Sequence, residues 1–144
     1  MTETKEKSTQ KYRMTHDAFF KQCMADKIVA REILETKLLP KDILSAVDLS
    51  SLKLEKSDFA DKTLGRGISD VLYSVNWNNK KGYISLLLEH QSIPDKLMTF
   101  RIMKYMLKIV DLHLIHNKEK ELPLIYPAIL YSGSRPYTSP RSFF

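Results

Sequence analysis

A run of apolar residues that ends in an acid constrains this chain more than any other feature. Residues 83–88 are apolar apart from Ser85, and Glu89 follows them directly. Such a run is typical of a strand buried in a sheet. A carboxylate at the end of a buried strand is costly unless it is paired or binds a metal ion. Side chains alternate along a strand, so Glu89 and Gln91 are expected on the same face.

A second acid, Asp70, lies within another strand-like run over residues 68–75. Residues 76–82 are polar apart from Trp77 and end in glycine, which predicts a hairpin loop joining the two strands antiparallel. The two acids are therefore expected on adjacent strands, where they form a candidate site for Mg²⁺ or another hard cation. Their spacing is equally compatible with a pair of strand-end acids that face solvent.

The first half of the chain is predicted to be helical before the sheet begins. Apolar residues recur at helical spacing from His16 to Leu38, with a break suggested near Asp26. Pro40 ends this unit, and a short helix is predicted over Lys41–Val47. Residues 49–55 alternate loosely between apolar and polar, which indicates a first strand.

A long helix is predicted from Pro94 and Asp95 to about Asn117, followed by an inner strand over residues 122–131. The helix is apolar nearly all round, so we expect it to be largely buried. Its polar exception is a stripe formed by Arg101, Lys104, Lys108 and Asp111. The element order is helix, three strands, helix, strand, which predicts an α/β domain with a mixed central sheet flanked by helices. The last two strands should be parallel.

Composition narrows the class of protein. The chain has 144 residues, 43% of them hydrophobic, which suits a single globular domain. One cysteine excludes an internal disulfide and a zinc site made of cysteines. No secretory signal and no membrane-spanning stretch is recognised, so a cytoplasmic location is expected. Residues 1–13 are expected to be a disordered tail, and residues 14–144 a domain cut short at its aromatic C-terminus.

Four further features suggest contacts with nucleic acid. The net charge of +6 favours a polyanionic partner, although its spread along the chain also suits plain solubility. Arg101, Lys104 and Lys108 are candidates for contacting DNA phosphates, and a solvated helix face is the alternative. His16 is a candidate phosphate contact, and a role in helix capping or packing is the alternative. Gln91 is a candidate for orienting water or phosphate, with a surface glutamine as the alternative.

Six blocks of the sequence resemble one known family. In order they are HDAFFK at 16–21, VAREIL at 29–34, SDVLY at 69–73, LLLEHQS at 86–92, MTFRIMKYM at 98–106 and ILYSG at 129–133. They are similar to the family of recombination-promoting nucleases and YhgA-like transposases, which resembles the PD-(D/E)XK nuclease superfamily. That superfamily has an α-β-β-β-α-β core, in agreement with the order predicted above.

The resemblance implies roles for individual residues. Asp70 would be the first metal-binding acid, Glu89 the second, and Glu32 an additional acid on a helix. Gln91 stands where the superfamily usually has lysine, although glutamine is usual for this family. Ser132 departs from the family, whose members usually have histidine there, and family members continue well past residue 144.

Two hypotheses follow from the sequence. The first is a DNA endonuclease dependent on Mg²⁺ or Mn²⁺, with Asp70, Glu89 and Gln91 as catalytic residues. The second is a catalytically inactive, truncated remnant of a mobile element in a bacterium, which binds DNA or a protein partner without cutting. A homo-oligomer is compatible with both.

Overall fold

The computed structural model describes residues 16–56, 68–89, 96–118 and 120–131. Within these residues, three helices precede the sheet and another connects its last two strands. They are α1 (His16–Ala25), α2 (Lys27–Ile33), α3 (Lys41–Ala46) and α4 (Met98–Asn117), with a π-helical turn over Leu34–Leu38. The strands are β1 (Val47–Glu55), β2 (Ile68–Trp77), β3 (Lys80–Glu89) and β4 (Ile125–Tyr131). The predicted element order and the α/β class are confirmed.

The four described strands form one mixed sheet in the order β1-β2-β3-β4. β2 pairs antiparallel with both β1 and β3, whereas β3 and β4 run parallel, as predicted for strands joined through a helix. Within the described residues β4 is an edge strand, in contrast to the inner strand that was expected. Within the described sheet it pairs only with β3, and its side chains are mostly half-buried. It also begins at Ile125, three residues later than predicted.

The hairpin between β2 and β3 is tighter than the sequence suggested. Its turn consists of Asn78 and Asn79, which both have positive φ angles, 50° and 66°. Asparagine tolerates this conformation, and two such residues are typical of the turns that fit the twist of a hairpin. Trp77 therefore belongs to the strand and is buried. Gly82 leaves room for the indole, because a Cβ on it would lie 3.0 Å from Trp77 Cε3.

The N-terminal helical region breaks where it was expected to break. The Asp26 carboxylate accepts hydrogen bonds from the backbone N–H groups of Ile28 and Val29, at 2.9 and 3.4 Å, and so caps α2. The change of direction brings Ala30 and Leu34 onto the sheet, where neither is exposed. This helical region covers one face of the sheet, together with Phe20 and Met24 of α1.

The two faces of the sheet are covered by different helices. We call the first the α4 face, formed by alternate residues of β2 and β3 that pack against α4: Ile68, Asp70, Leu72, Tyr83, Leu87 and Glu89. The second is the α1–α2 face, on which Val71, Tyr73, Val75, Ile84 and Leu86 pack against the N-terminal helices. Each face has its own apolar cluster, so the central strands are buried on both sides.

Helix α4 differs from its prediction in two ways. It begins at Met98, after a turn at residues 96–97, whereas Pro94 and Asp95 lie outside the described residues. It is also not largely buried, because Phe100 is 50% exposed and Leu107 is 58% exposed. A helix lying on one face of a sheet can bury only one stripe, and the apolar residues on its outer side remain at the surface. No helix within the described part of the chain is long and apolar enough to cross a bilayer.

Candidate metal centre

The strand register brings the two acids predicted from sequence onto one face of the sheet. In the β2–β3 ladder, Asp70 lies opposite Leu87 and Glu89 lies opposite Ile68. Paired residues share a face, as do residues two apart along a strand, so Asp70 and Glu89 are diagonal neighbours on the α4 face. Diagonal pairs of this kind lie about 7–8 Å apart at the backbone, within reach of one shared ion between the carboxylates.

Both carboxylates lie inside the protein. Asp70 is 4% exposed and Glu89 is 1% exposed, which contradicts the alternative of a solvent-facing pair. A buried carboxylate requires hydrogen bonds, an opposite charge or a metal ion. Without such a partner, its removal from water costs roughly several kcal/mol of free energy. The donor set fits Mg²⁺, which binds one or two carboxylates and completes its shell with water and phosphate oxygens.

Helix α4 supplies a hydrogen bond to the first acid. The Tyr105 hydroxyl donates to Asp70 Oδ2 at 2.6 Å, and Tyr105 is fully buried. Its position follows from helix periodicity, because the buried residues of α4 recur every three or four positions: Met98, Ile102, Tyr105, Ile109 and His113. At the C-terminal end of this stripe the hydroxyl of Tyr83 lies 2.9 Å from Nδ1 of His113. Polar contacts between α4 and the sheet thus occur at the middle of the stripe and at its C-terminal end.

Two of the three predicted basic residues lie next to Tyr105 on the surface of α4. Arg101 precedes Tyr105 by four residues and Lys108 follows it by three, so both are its neighbours on the helix surface. Arg101 is half-buried, and its Nε atom is fully shielded from solvent. Lys108 and Lys104 are exposed, and Lys104 Nζ lies 5.6 Å from the centre of the Phe100 ring. Positive charge therefore extends from beside the buried tyrosine out to the surface.

The structure does not place the other predicted site residues beside the two acids. Glu32 is exposed on α2, the helix that covers the opposite face of the sheet. In the described ranges no group of three or more His, Cys, Asp or Glu side chains is placed to hold a metal, so Glu32 is not brought together with the two acids. Gln91 lies outside the described residues, as do residues 1–13 and the side chain of His16.

Tyr105 is the site residue that sequence reasoning missed. A tyrosine within an apolar helical stripe is most often a packing residue, and its partner lies 35 positions away along the chain. The available signal was modest: Tyr105 is the single hydroxyl-bearing residue among the sheet-facing positions of α4. A buried tyrosine hydroxyl usually has a hydrogen-bond partner, and here that partner is Asp70.

The same face also has a cavity whose lining does not include the two acids. Its volume is about 530 Å³, and its lining includes Glu55, Lys81, Tyr83 and His116. The Glu55 carboxylate accepts a hydrogen bond from the Ser74 hydroxyl at 2.7 Å and lies 3.9 Å from Lys81 Nζ. Its charge is thus balanced within the protein, and we assign no chemistry to this cavity.

The family model and the similar proteins indicate the same family. The model of the family described as "Putative transposase, YhgA-like" matches residues 14–144. The chain is 43% identical over 123 residues to recombination-promoting nuclease RpnD of Escherichia coli O157:H7, covering 85% of this chain and 47% of that protein. It is 41% identical over 123 residues to recombination-promoting nuclease RpnC of Escherichia coli K12, covering 85% of this chain and 40% of the relative.

A third relative has a different description. The inactive recombination-promoting nuclease-like protein RpnE of Escherichia coli K12 is 38% identical over 125 residues, covering 87% of this chain and 40% of that protein. The chain thus spans less than half the length of each of these three relatives. No solved structure matches it.

Proposed function

We propose, for a chain that belongs to the YhgA-like transposase family, that it carries the catalytic core of a metal-dependent DNA endonuclease. The observation that carries the proposal is the burial of Asp70 and Glu89 together on one face of the sheet, beneath α4. Relatives about 40% identical are named recombination-promoting nucleases, which supports the reaction class. We also propose that the sheet and its helices are a PD-(D/E)XK core and that the protein works in the cytoplasm, beside its DNA.

The two carboxylates would hold the ion, with Mg²⁺ or Mn²⁺ as the proposed cofactor. A bound Mg²⁺ lowers the pKa of water and neutralises charge that develops on a phosphodiester. Asp70 and Glu89 contribute two negative charges on a rigid ladder, so the ion's position is fixed before substrate binds. Arg101 and Lys108, beside Tyr105 on α4, would contact the DNA phosphates next to the acids. Gln91 follows Glu89 by two residues and is proposed to orient the attacking water.

The test is nicking of supercoiled plasmid by purified protein with Mg²⁺ or Mn²⁺, compared with EDTA. Asp70→Asn and Glu89→Gln keep the size of each side chain and remove its charge. We expect cleavage to fall by at least about a hundredfold in both variants, since an oxygen ligand to the ion loses its charge. The matched control is Asp42→Asn, which removes an exposed acid from α3. Cleavage that survives in the two variants as it does in the control would refute the proposed site.

A second candidate function is supported by one of the relatives. A protein described as inactive is nearly as similar to this chain as those named nucleases. The chain would then bind DNA through its basic residues without cutting it. This predicts no nicking under either divalent ion by folded wild-type protein, together with DNA binding that weakens as salt increases.

A further inference from the structure

A hydrogen bond between Tyr105 and Asp70 joins α4 to the candidate metal centre. The donor and the acceptor are 2.6 Å apart, and neither residue is more than 4% exposed. A bond to an ionised carboxylate is shorter and stronger than one between neutral groups. Because the site is buried, bulk water does not compete for the hydroxyl or for the carboxylate oxygen.

Packing alone does not require this hydroxyl. The other sheet-facing positions in the first half of α4 are Met98 and Ile102, and a phenylalanine at position 105 would fill nearly the same volume. Burying a hydroxyl costs free energy unless it finds a partner, so the atom is retained at a cost that its bond to Asp70 offsets. An ionised carboxylate can accept about four hydrogen bonds, so the bond from Tyr105 uses one of several acceptor sites on Asp70.

We infer that Tyr105 is a positioning residue that holds the Asp70 carboxylate in one orientation and thereby raises the affinity of the site for its divalent cation; this rests on the metal site proposed above. The hydroxyl fixes Oδ2, so Asp70 does not have to become ordered when the ion binds. Groups that orient metal ligands in this way typically change metal affinity by about 10- to 100-fold. In this role Tyr105 acts through Asp70 and is not itself a ligand of the ion.

The molecule contains a matched control on its other face. Tyr73 is 1% exposed, and its hydroxyl donates to the backbone carbonyl of Met24 at 2.5 Å. It packs in the apolar cluster of the α1–α2 face, whereas Asp70 and Glu89 lie on the α4 face. Tyr73→Phe and Tyr105→Phe thus each remove one buried hydroxyl, and only the second removes a bond to a carboxylate of the site.

The experiment measures Mn²⁺ binding to the whole chain without DNA, by the loss of the free-ion signal in electron paramagnetic resonance. We expect Tyr105→Phe to weaken binding by about 10- to 100-fold and Tyr73→Phe to change it less than about twofold. Thermal unfolding of both variants, without metal, should show similar decreases in Tm. Placing 4-aminophenylalanine at position 105, which restores a donor, should recover the affinity. That variant also keeps the test open if Tyr105→Phe fails to fold.

Three results would overturn the inference, and they can be told apart. Wild-type affinity in Tyr105→Phe would refute the positioning role alone. Equal loss of affinity in Tyr73→Phe would show that any buried hydroxyl supports the site through general stability. Absence of Mn²⁺ binding by the wild-type chain, with the same result in Asp70→Asn, would refute the proposed metal site, and the role of Tyr105 with it.

Discussion

The α4 face and the α1–α2 face of the sheet differ in what their buried side chains carry. The cluster on the α1–α2 face consists of apolar residues, and its Tyr73 hydroxyl bonds a backbone carbonyl. Apart from Ser69, the buried polar side chains of the described residues lie on the α4 face or on α4 itself. On the sheet they are Asp70, Ser74, Ser85 and Glu89, and on the helix His113.

This difference separates stability from chemistry within a single sheet. An apolar layer stabilises the fold through burial, at about 25 cal/mol for each Å² removed from water. Buried acids and hydroxyls contribute less, because their desolvation offsets their hydrogen bonds. Substitutions on the α1–α2 face should therefore change stability while leaving metal affinity intact. On the α4 face, substitution of either acid should change both stability and metal affinity.

The largest expected effect is a loss of stability on the α1–α2 face. Leu34 is completely buried in its cluster, and Leu34→Ala should lower the free energy of unfolding by about 2–5 kcal/mol through lost burial and the cavity left behind. Urea denaturation measures the change. The matched control is Leu54→Ala on β1, where the side chain is 48% exposed and the expected change is within about 0.5 kcal/mol.

Metal affinity sharpens this prediction. Measured at a temperature where Leu34→Ala is still folded, its Mn²⁺ affinity should equal that of the wild type. A weaker affinity in the folded variant would mean that the two faces are coupled through the sheet, and that the α1–α2 face is not a purely structural layer.

Sequence patterns were sufficient for the pairing of the acids but not for their contact with α4. Two strand-like runs joined by a hairpin predict that Asp70 and Glu89 lie on adjacent strands, whereas their common face depends on the register set by the two-residue turn at Asn78 and Asn79. The bond from Tyr105 depends on where a helix crosses the sheet, which is set by packing between distant segments. The exposure of Phe100 and Leu107 was missed for a related reason, since an apolar helix surface does not reveal which side has a partner.

An intermediate effect is expected on the outer flank of α4. If Lys104 and Lys108 contact DNA phosphates, the double variant Lys104→Gln/Lys108→Gln should reduce the slope of log K against log salt by about 1.8, at roughly 0.9 for each contact. Both side chains are exposed, so the fold should be unaffected. Fluorescence anisotropy with a labelled duplex, over a series of salt concentrations, gives this slope.

The matched control removes the same charge from the other side of the molecule. Lys37 lies on the π-helical turn and Lys41 on α3, and both are exposed. Lys37→Gln/Lys41→Gln should leave the slope near the wild-type value. If both double variants reduce it equally, then the net charge of the protein, and not the flank of α4, is what attracts DNA.

The smallest expected effect is a pH dependence of folding stability at Tyr73, which begins only above about pH 10. Burial raises the pKa of the Tyr73 hydroxyl well above its usual value near 10, because the phenolate would lose its hydration. Above pH 10 the unfolded chain releases this proton while the folded protein keeps it, so folding stability contributed by Tyr73 decreases as pH rises. Below pH 10 both states are protonated and the contribution is complete.

Tyr73→Phe should therefore be less stable than wild type at pH 8, through its lost bond to Met24, and this difference should shrink between pH 10 and 11. Urea denaturation at each pH measures the difference, and recovery on return to pH 8 confirms reversibility. A difference that stays constant across this range would show that the hydroxyl ionises equally easily in both states, and that the α1–α2 face is less dry around Tyr73 than its burial indicates.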